Sequence, residues 1–411
     1  MLRYYDLVAN EASKSRTRIA YPAFMRLPTE HAHGVQVMRM CEALTGAGHE
    51  TTLLYPKRAQ NPHADKDPWL YYDVQTRFPL IEVKSPDLSW LVARLGPGRH
   101  LSNAALELDI AAFGITALRS VKRDRFDLVF TRDPEIALLS TLQRHTTVLE
   151  LHSVPRSNVL RKLTSLVCKN DRIPLVVAIT EGVKRALVEI GVEESRVMVV
   201  PDGVDMKHYE RLPDRSEARR RLGIAEGGAV ALYSGSLYRY KGVFTLVDAA
   251  RAMPEVHVII VGGEDKDVVA LRSYADQRGA DNVSIYGHVP PSDVPLLQAA
   301  SDVLIAPNTA ETRLSAEFTS PLKIFEYMAA GRPIVSTLLP SIQEVLEHER
   351  NALLVPPGDA DALALAVRRI IANPALSDRL VATAKQEVPK YSWAQRVRVI
   401  LDELGSRRVA V

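Results

Sequence analysis

The sequence predicts an α/β protein: two doubly wound parallel-sheet domains in tandem, facing a cleft. Three observations carry that expectation. At 411 residues the chain exceeds one ordinary domain and suits two of about 200 residues each. Short apolar runs alternate with amphipathic stretches, as in parallel strands covered by helices on both faces. The alternation breaks at Pro201-Asp202-Gly203-Val204-Asp205, which has turn chemistry, stays polar to about residue 213, and then restarts.

In the first half, Arg18–Phe24 reads as the opening strand, after a polar extension over residues 1–17. A loop ending in His31-Ala32-His33-Gly34 leads into a helix marked by Val35, Met38 and Cys41 and closed near Gly46 and Gly48. Glu50–Tyr55, Asp127–Phe130, Thr146–Leu151, Leu175–Ile179 and Val197–Val200 are the further strands. A basic amphipathic stretch, Arg156–Lys169, reads as a surface helix or as a foot on an anionic membrane.

The second half repeats the plan. Val230–Tyr233 is a strand, followed by Gly235-Ser236 and by a helix from about Gly242 with Val243, Leu246, Val247 and Ala250 on one face. Val256–Gly263, Val283–Tyr286, Val303–Ala306, Ile334–Ser336 and Ala352–Val355 are the later strands. The segment Tyr391–Leu404 closes the chain as a helix, with Trp393 as a core anchor.

The most informative stretch runs from Thr319 to Pro333. Ser320 suits an N-cap, Pro321 the first helical position, and Gly331 with Pro333 the stop. Leu322, Phe325 and Met328 recur at core spacing, while Lys323 and Glu326 share another face. A lysine in the first turn opposes the helix dipole, a conflict that a bound phosphate would remove. Lys241 stands at a second helix start, beyond Gly235-Ser236, and Gly262-Gly263 follows the next strand. Glycines let backbone amides approach phosphate and lysines supply charge. The set suggests a diphosphate carrying a sugar, bound beyond the carboxyl ends of the strands.

Composition limits the partners. The chain is 46% hydrophobic and 25% charged, with a net charge of +3. Residues 1–200 hold 27 Lys and Arg against 22 Asp and Glu (+5), the rest 25 against 27 (−2). So mild an excess argues against nucleic acid. Cys41 and Cys168 lie in apolar surroundings and fit a reducing cytoplasm. No run reaches the length of a membrane span, no signal peptide opens the chain, and no zinc, calcium or Walker spacing occurs.

The ordered series Tyr233–Leu237, Lys241-Gly242, Val261–Gly263, Tyr286–Val289, Ala300–Pro307, Ser320–Pro333 and Asn351–Asp359 resembles the retaining nucleotide-sugar glycosyltransferases of the GT-B fold, family 4-like and group 1. Gly34, Ile179–Val183 and Val200–Asp205 extend the likeness into the first half. The resemblance implies two Rossmann-like domains: residues 1–205 on the acceptor side, 206–389 on the nucleotide-sugar side, and 390–411 as a helix packing back on the first. It implies transfer of a sugar, with retention and without a metal or other cofactor, from a nucleotide-diphosphate sugar to a carbohydrate or lipid-linked hydroxyl. The setting would be cell-surface polysaccharide or glycolipid synthesis, in the cytoplasm or at the inner face of an anionic membrane. His152 and Lys241 take the catalytic places. Gly34, Gly235, Ser236, Arg239, Lys241, Gly263, Ser320, Pro321, Leu322, Lys323 and Glu326 take the donor-binding ones.

Two departures stand out. The first glutamate of the family's Glu-x7-Glu pair falls at Phe318, with Glu317 one residue away. The arginine beside the phosphate lysine is Ser236, leaving Arg239 or Lys323 to replace its charge. A nucleotide-sugar epimerase and a non-catalytic partner subunit therefore stay open as alternatives.

Overall fold

The structure, a computed structural model, describes residues 16–59, 61–88, 90, 94, 100–120, 125–155 and 157–409. Most of the polar extension ahead of the first strand, and Arg156, lie outside these residues. Seven parallel strands form the first sheet: β1 (Arg18–Pro22), β2 (Glu50–Pro56), β3 (Leu80–Val83), β4 (Leu128–Thr131), β5 (Thr147–Leu151), β6 (Leu175–Ala178) and β7 (Val197–Val199). Their order is β3-β2-β1-β4-β5-β6-β7. Six parallel strands form the second: β8 (Ala229–Ser234), β9 (Val256–Val261), β10 (Val283–Tyr286), β11 (Val303–Ala306), β12 (Ile334–Thr337) and β13 (Leu353–Val355), in the order β10-β9-β8-β11-β12-β13. Both orders reverse direction beside the first strand of the sheet, the point where doubly wound folds open a ligand crevice.

Each sheet is covered on both faces, so its strands read as unbroken apolar runs. One face of the second sheet packs Leu246, Val247, Leu271, Leu363 and Val367, the other Ile324, Phe325, Met328 and Leu346. In the first half, Val37, Met38, Met40 and Leu44 of helix Ala32–Gly46 bury one face, and Phe113, Ala117 and Ile136 part of the other. The helix Trp393–Val409 belongs to this first core, through Trp393, Val397, Ile400 and Leu404. The chain thus passes between the halves twice. The two passages lie side by side, where Val204 and Ser392 form a parallel bridge and Val204 N–H donates to the Tyr391 carbonyl at 3.0 Å.

Several local expectations change. The first helix starts at Ala32, so His33 and Gly34 sit in its first turn rather than in the preceding loop. The helix after Thr319 starts at Leu322 with Pro321 at the cap, and Ser320 does not cap it. The Ser320 hydroxyl instead accepts from Asp202 N–H across the two halves, at 3.1 Å. Lys241 ends a short 3₁₀ turn, Arg239–Lys241, before helix Val243–Ala252. Gly242 joins the two at φ 77°, where a Cβ would lie 1.7 Å from the Pro307 carbonyl oxygen, so only glycine fits.

Candidate active site

The cleft lies where the carboxyl ends of the two sheets face each other. Its wall carries His152 after β5, Ile179 after β6, Asp202 after β7, Ser234–Ser236 around the end of β8, Val261–Glu264 around the end of β9 and His288 after β10. The cavity volume of about 390 Å³ is in the range of small-ligand sites.

The second-half wall concentrates two lysines and a glutamate. Lys323 is 8% exposed, and its ammonium lies 3.5 Å from the centroid of the buried Tyr233 ring. Its Nζ has no hydrogen-bond partner among the described residues. An ammonium so placed is costly, and the aromatic face offsets only part of that cost. Burial, then the charge of Lys241, hold Lys323 well below the usual lysine range. Burial also brings Lys241 down to about 8, and its Nζ stands 5.0 Å from the Tyr240 ring centroid. Glu326, one turn beyond Lys323, is pushed up by burial, against the pull of that lysine. Two lysines held below their usual range thus stand beside the cleft. Gly263, Ser320, Pro321 and Leu322 also line this wall, and Leu322 packs against the first-half core that contains Trp393.

The first-half wall rests on a buried acid. Glu150 stands in the middle of β5 with no exposed surface. It accepts from Gln36 Nε2 at 2.6 Å, pairs with Arg396 at 2.9 Å and meets His152 Nε2 at 2.6 Å. Burial alone would raise Glu150; Arg396, His152 and Arg132 together hold it far below the usual range. Burial lowers His152 and raises Asp202.

Three expected contributors stand away from the cleft. Gly34 is not in its lining: a Cβ there would meet Tyr72 Oη at 2.4 Å and Thr29 Cγ2 at 2.5 Å, so the glycine serves packing inside the first half. Arg239 points outward, 77% exposed and 3.8 Å from Glu311, so it does not replace the charge missing at Ser236. Glu317 pairs with Arg313 at 3.1 Å and is not in the lining either. A π-helical turn, Leu314–Phe318, sends Phe318 into the first-half core against Ala178 and Val183. The phosphate-loop idea also changes at two glycines. Gly235 N–H bonds to the Val261 carbonyl (2.9 Å) and Gly262 N–H to that of Gly287 (3.0 Å), so these amides tie strand ends together. His31 and His33, expected as loop residues, both line the cleft, and burial brings His33 down to about 4.

Sequence patterning passed over Glu150, Asp202 and Arg396. A signal for the first existed: a glutamate inside the apolar run Val148–Leu151 must be paired if that run is buried.

Comparison with known proteins agrees with this architecture. The family described as "Glycosyl transferases group 1" matches residues 214–387, and "Glycosyltransferase Family 4" matches residues 33–208. A D-inositol 3-phosphate glycosyltransferase of Nocardioides sp. is 32% identical over 250 residues, covering 58% of this chain and 54% of that protein. The chain thus spans about half the length of such relatives. A phosphatidyl-myo-inositol mannosyltransferase of Mycolicibacterium smegmatis is 25% identical over 382 residues, covering 88% of this chain and 87% of that one. Among solved structures, Anabaena Alr3699/HepE in complex with UDP and glucose superposes with a TM-score of 0.73 at 20% identity, covering 95% of this chain and all of that one. Sucrose-phosphate synthase from Thermosynechococcus elongatus superposes at 0.74, with 19% identity and 96% of this chain covered. The chain belongs to the group 1, family 4-like glycosyltransferases of the GT-B fold.

Proposed function

We propose that this protein moves a sugar from a nucleotide-diphosphate sugar to a hydroxyl acceptor, with retention and without a metal ion or other cofactor. The observation that carries the reading is the pair of desolvated lysines, Lys241 and Lys323, lining the cleft that also holds His152. A diphosphate leaving group develops charge as the glycosidic bond breaks, and the two lysines, charged once the diphosphate is bound, stabilise that charge from fixed positions. Lys241 and Lys323 hold the diphosphate, Glu326 the nucleotide ribose, and His152 the transferred sugar. Gly235, Ser236, Gly263 and Ser320–Leu322 shape the donor wall. In this reading residues 1–205 take the acceptor and residues 206–389 the donor, while 390–411 return to the first unit.

The relatives that act on inositol phosphate or phosphatidyl-myo-inositol support an acceptor of polyol, carbohydrate or lipid-linked type. Work on cell-surface polysaccharide or glycolipid from the cytoplasmic side, with peripheral contact to anionic lipid, fits helix Asn158–Cys168. That helix exposes Val159 and Leu166 beside Arg161 and Lys162. Among the described residues no helix is long and apolar enough to cross a membrane.

The test is turnover with a panel of UDP-, GDP- and ADP-sugars and polyol or lipid-linked acceptors, with and without EDTA. The anomeric configuration of the product would be read by NMR. Lys241→Ala should abolish transfer while leaving the melting temperature close to wild type. Failure of purified protein to bind any nucleoside diphosphate at millimolar concentration would sink the proposal. Release of an epimerised donor without acceptor would favour an epimerase. Phe318, buried where the family carries a glutamate, is the observation behind a third reading, a non-catalytic partner subunit; unaltered behaviour of Lys241→Ala would favour it.

A further inference from the structure

Beneath the cleft floor the buried acid is held from several sides. Arg396 forms an ion pair with Glu150 at 2.9 Å and donates to the Pro201 carbonyl at 2.8 Å. Gln36 donates to Glu150, and its own oxygen accepts from Arg132 at 2.9 Å. A carboxylate paired with a guanidinium is ionised and can only accept. The 2.6 Å contact to His152 therefore requires the proton on Nε2. In a neutral imidazole the other nitrogen, Nδ1, is then an acceptor. Asp202 adds a second one. It lines the same cleft, is 5% exposed, and its Oδ1 has no hydrogen-bond partner among the described residues. One oxygen from each of Glu150 and Asp202 and one ring nitrogen of His152 lie within 4.8 Å of each other.

We propose that Glu150, held ionised by Arg396, is a positioning residue: it fixes His152 as the Nε2–H tautomer, so that His152 Nδ1 and Asp202 Oδ1 together offer acceptors to the hydroxyls of the sugar. The assignment rests on the glycosyl-transfer reading and adds to it the side chains that orient the histidine. The charged groups facing His152 are Glu150 on β5, Arg132 after β4, Asp202 after β7 and, behind Glu150, Arg396 on helix Trp393–Val409. Burial and Arg132 favour the neutral imidazole, against the pull of the two carboxylates.

The test uses the full chain labelled with ¹⁵N-histidine, the His152 signals being identified by their loss in His152→Gln. Wild type should show Nε2 protonated and Nδ1 bare between pH 6 and 8. Glu150→Gln should let the other tautomer appear and lower kcat roughly 10- to 100-fold, the scale of a hydrogen bond to a charged group. The KM for nucleotide sugar should stay close to wild type. Asp202→Asn should lower kcat/KM for the nucleotide sugar and leave UDP affinity within about twofold. A wild-type spectrum with Nδ1 protonated would overturn the assignment, as would Glu150→Gln with unchanged tautomer and kcat. If Glu150→Gln fails to fold, the wild-type spectrum still decides. The Glu150→Gln/Arg396→Met double variant, which removes both charges, then carries the kinetic arm. The expected spectrum in a protein that turns over no nucleotide sugar would overturn the transfer reading and leave the tautomer standing.

Discussion

Raising the pH should weaken diphosphate binding within an accessible range. Burial holds Lys241 at about 8 in the free protein, and Lys323 is displaced in the same direction. A bound diphosphate favours the charged form of both lysines, so the complex carries more protons than its free components. Affinity is therefore full below the free-state value and falls as pH rises through it. If only charged Lys241 binds, association drops roughly 10-fold between pH 7 and pH 9, and about 30-fold by pH 9.5. At pH 8 binding should take up about half a proton through Lys241 alone, and more if Lys323 also charges. Titration calorimetry with UDP at pH 7, 8 and 9, in two buffers of different ionisation enthalpy, measures both quantities. The terminal phosphate titrates at about pH 6 and uracil at about pH 9, so a parallel series with ADP, whose base does not titrate at alkaline pH, separates the ligand's own ionisation. Lys241→Arg, which stays charged, should flatten the profile. A dissociation constant constant within twofold from pH 7 to 9, with no proton uptake, would refute the reasoning. The same displacement has a second sign. The unfolded chain holds more protons on Lys241 than the native one between about pH 8 and 10.5, so this group's contribution to stability improves as pH rises through that window.

Three further outcomes are expected. Glu326→Gln should lower UDP affinity by roughly 10-fold, the loss of one charge-assisted hydrogen bond, with little change in melting temperature, since it removes a partly desolvated charge; an unchanged affinity would remove Glu326 from the site. Gly242→Ala should cost at least about 3 kcal/mol in urea unfolding, because φ 77° and the Pro307 carbonyl both oppose a Cβ. Arg239→Ala should leave UDP affinity within about twofold, as suits an exposed side chain on the outer surface, and a large loss would return it to the donor site.

The strands were legible because parallel sheets covered on both faces demand unbroken apolar runs. Val283–Tyr286 and Val303–Ala306 emerge with the expected limits. β3 was not, since its Ile81 and Glu82 are exposed at the sheet edge and give no buried pattern. The cleft lining was legible where a motif fixes position along a helix, as with Lys323 and Glu326. It was misleading where a turn decides direction: Arg239 and Glu317 are close to the site in sequence, but their side chains leave it. Ser320 shows the same limit. Its hydroxyl has a cap-like sequence context, yet bonds to Asp202, a partner 118 residues away. Arg396 was invisible for a related reason, since nothing local to a terminal helix announces a buried glutamate 246 residues earlier.

The return of helix Trp393–Val409 has a consequence for biosynthesis. Among the described residues Glu150 has its direct guanidinium ion pair from that helix, and an unpaired buried carboxylate costs about 3–5 kcal/mol. Trp393, Val397, Ile400 and Leu404 complete the same core. The first unit is therefore expected to finish folding last, because its core includes residues up to Leu404. The core of the second unit ends with Leu380, Ala384 and Val388, ahead of that helix, and should mature before the first unit is complete. A chain truncated after residue 390 and released from the ribosome should hold a protease-resistant second unit beside a first unit that is still open to cleavage, a reversal of the usual N-terminal-first order.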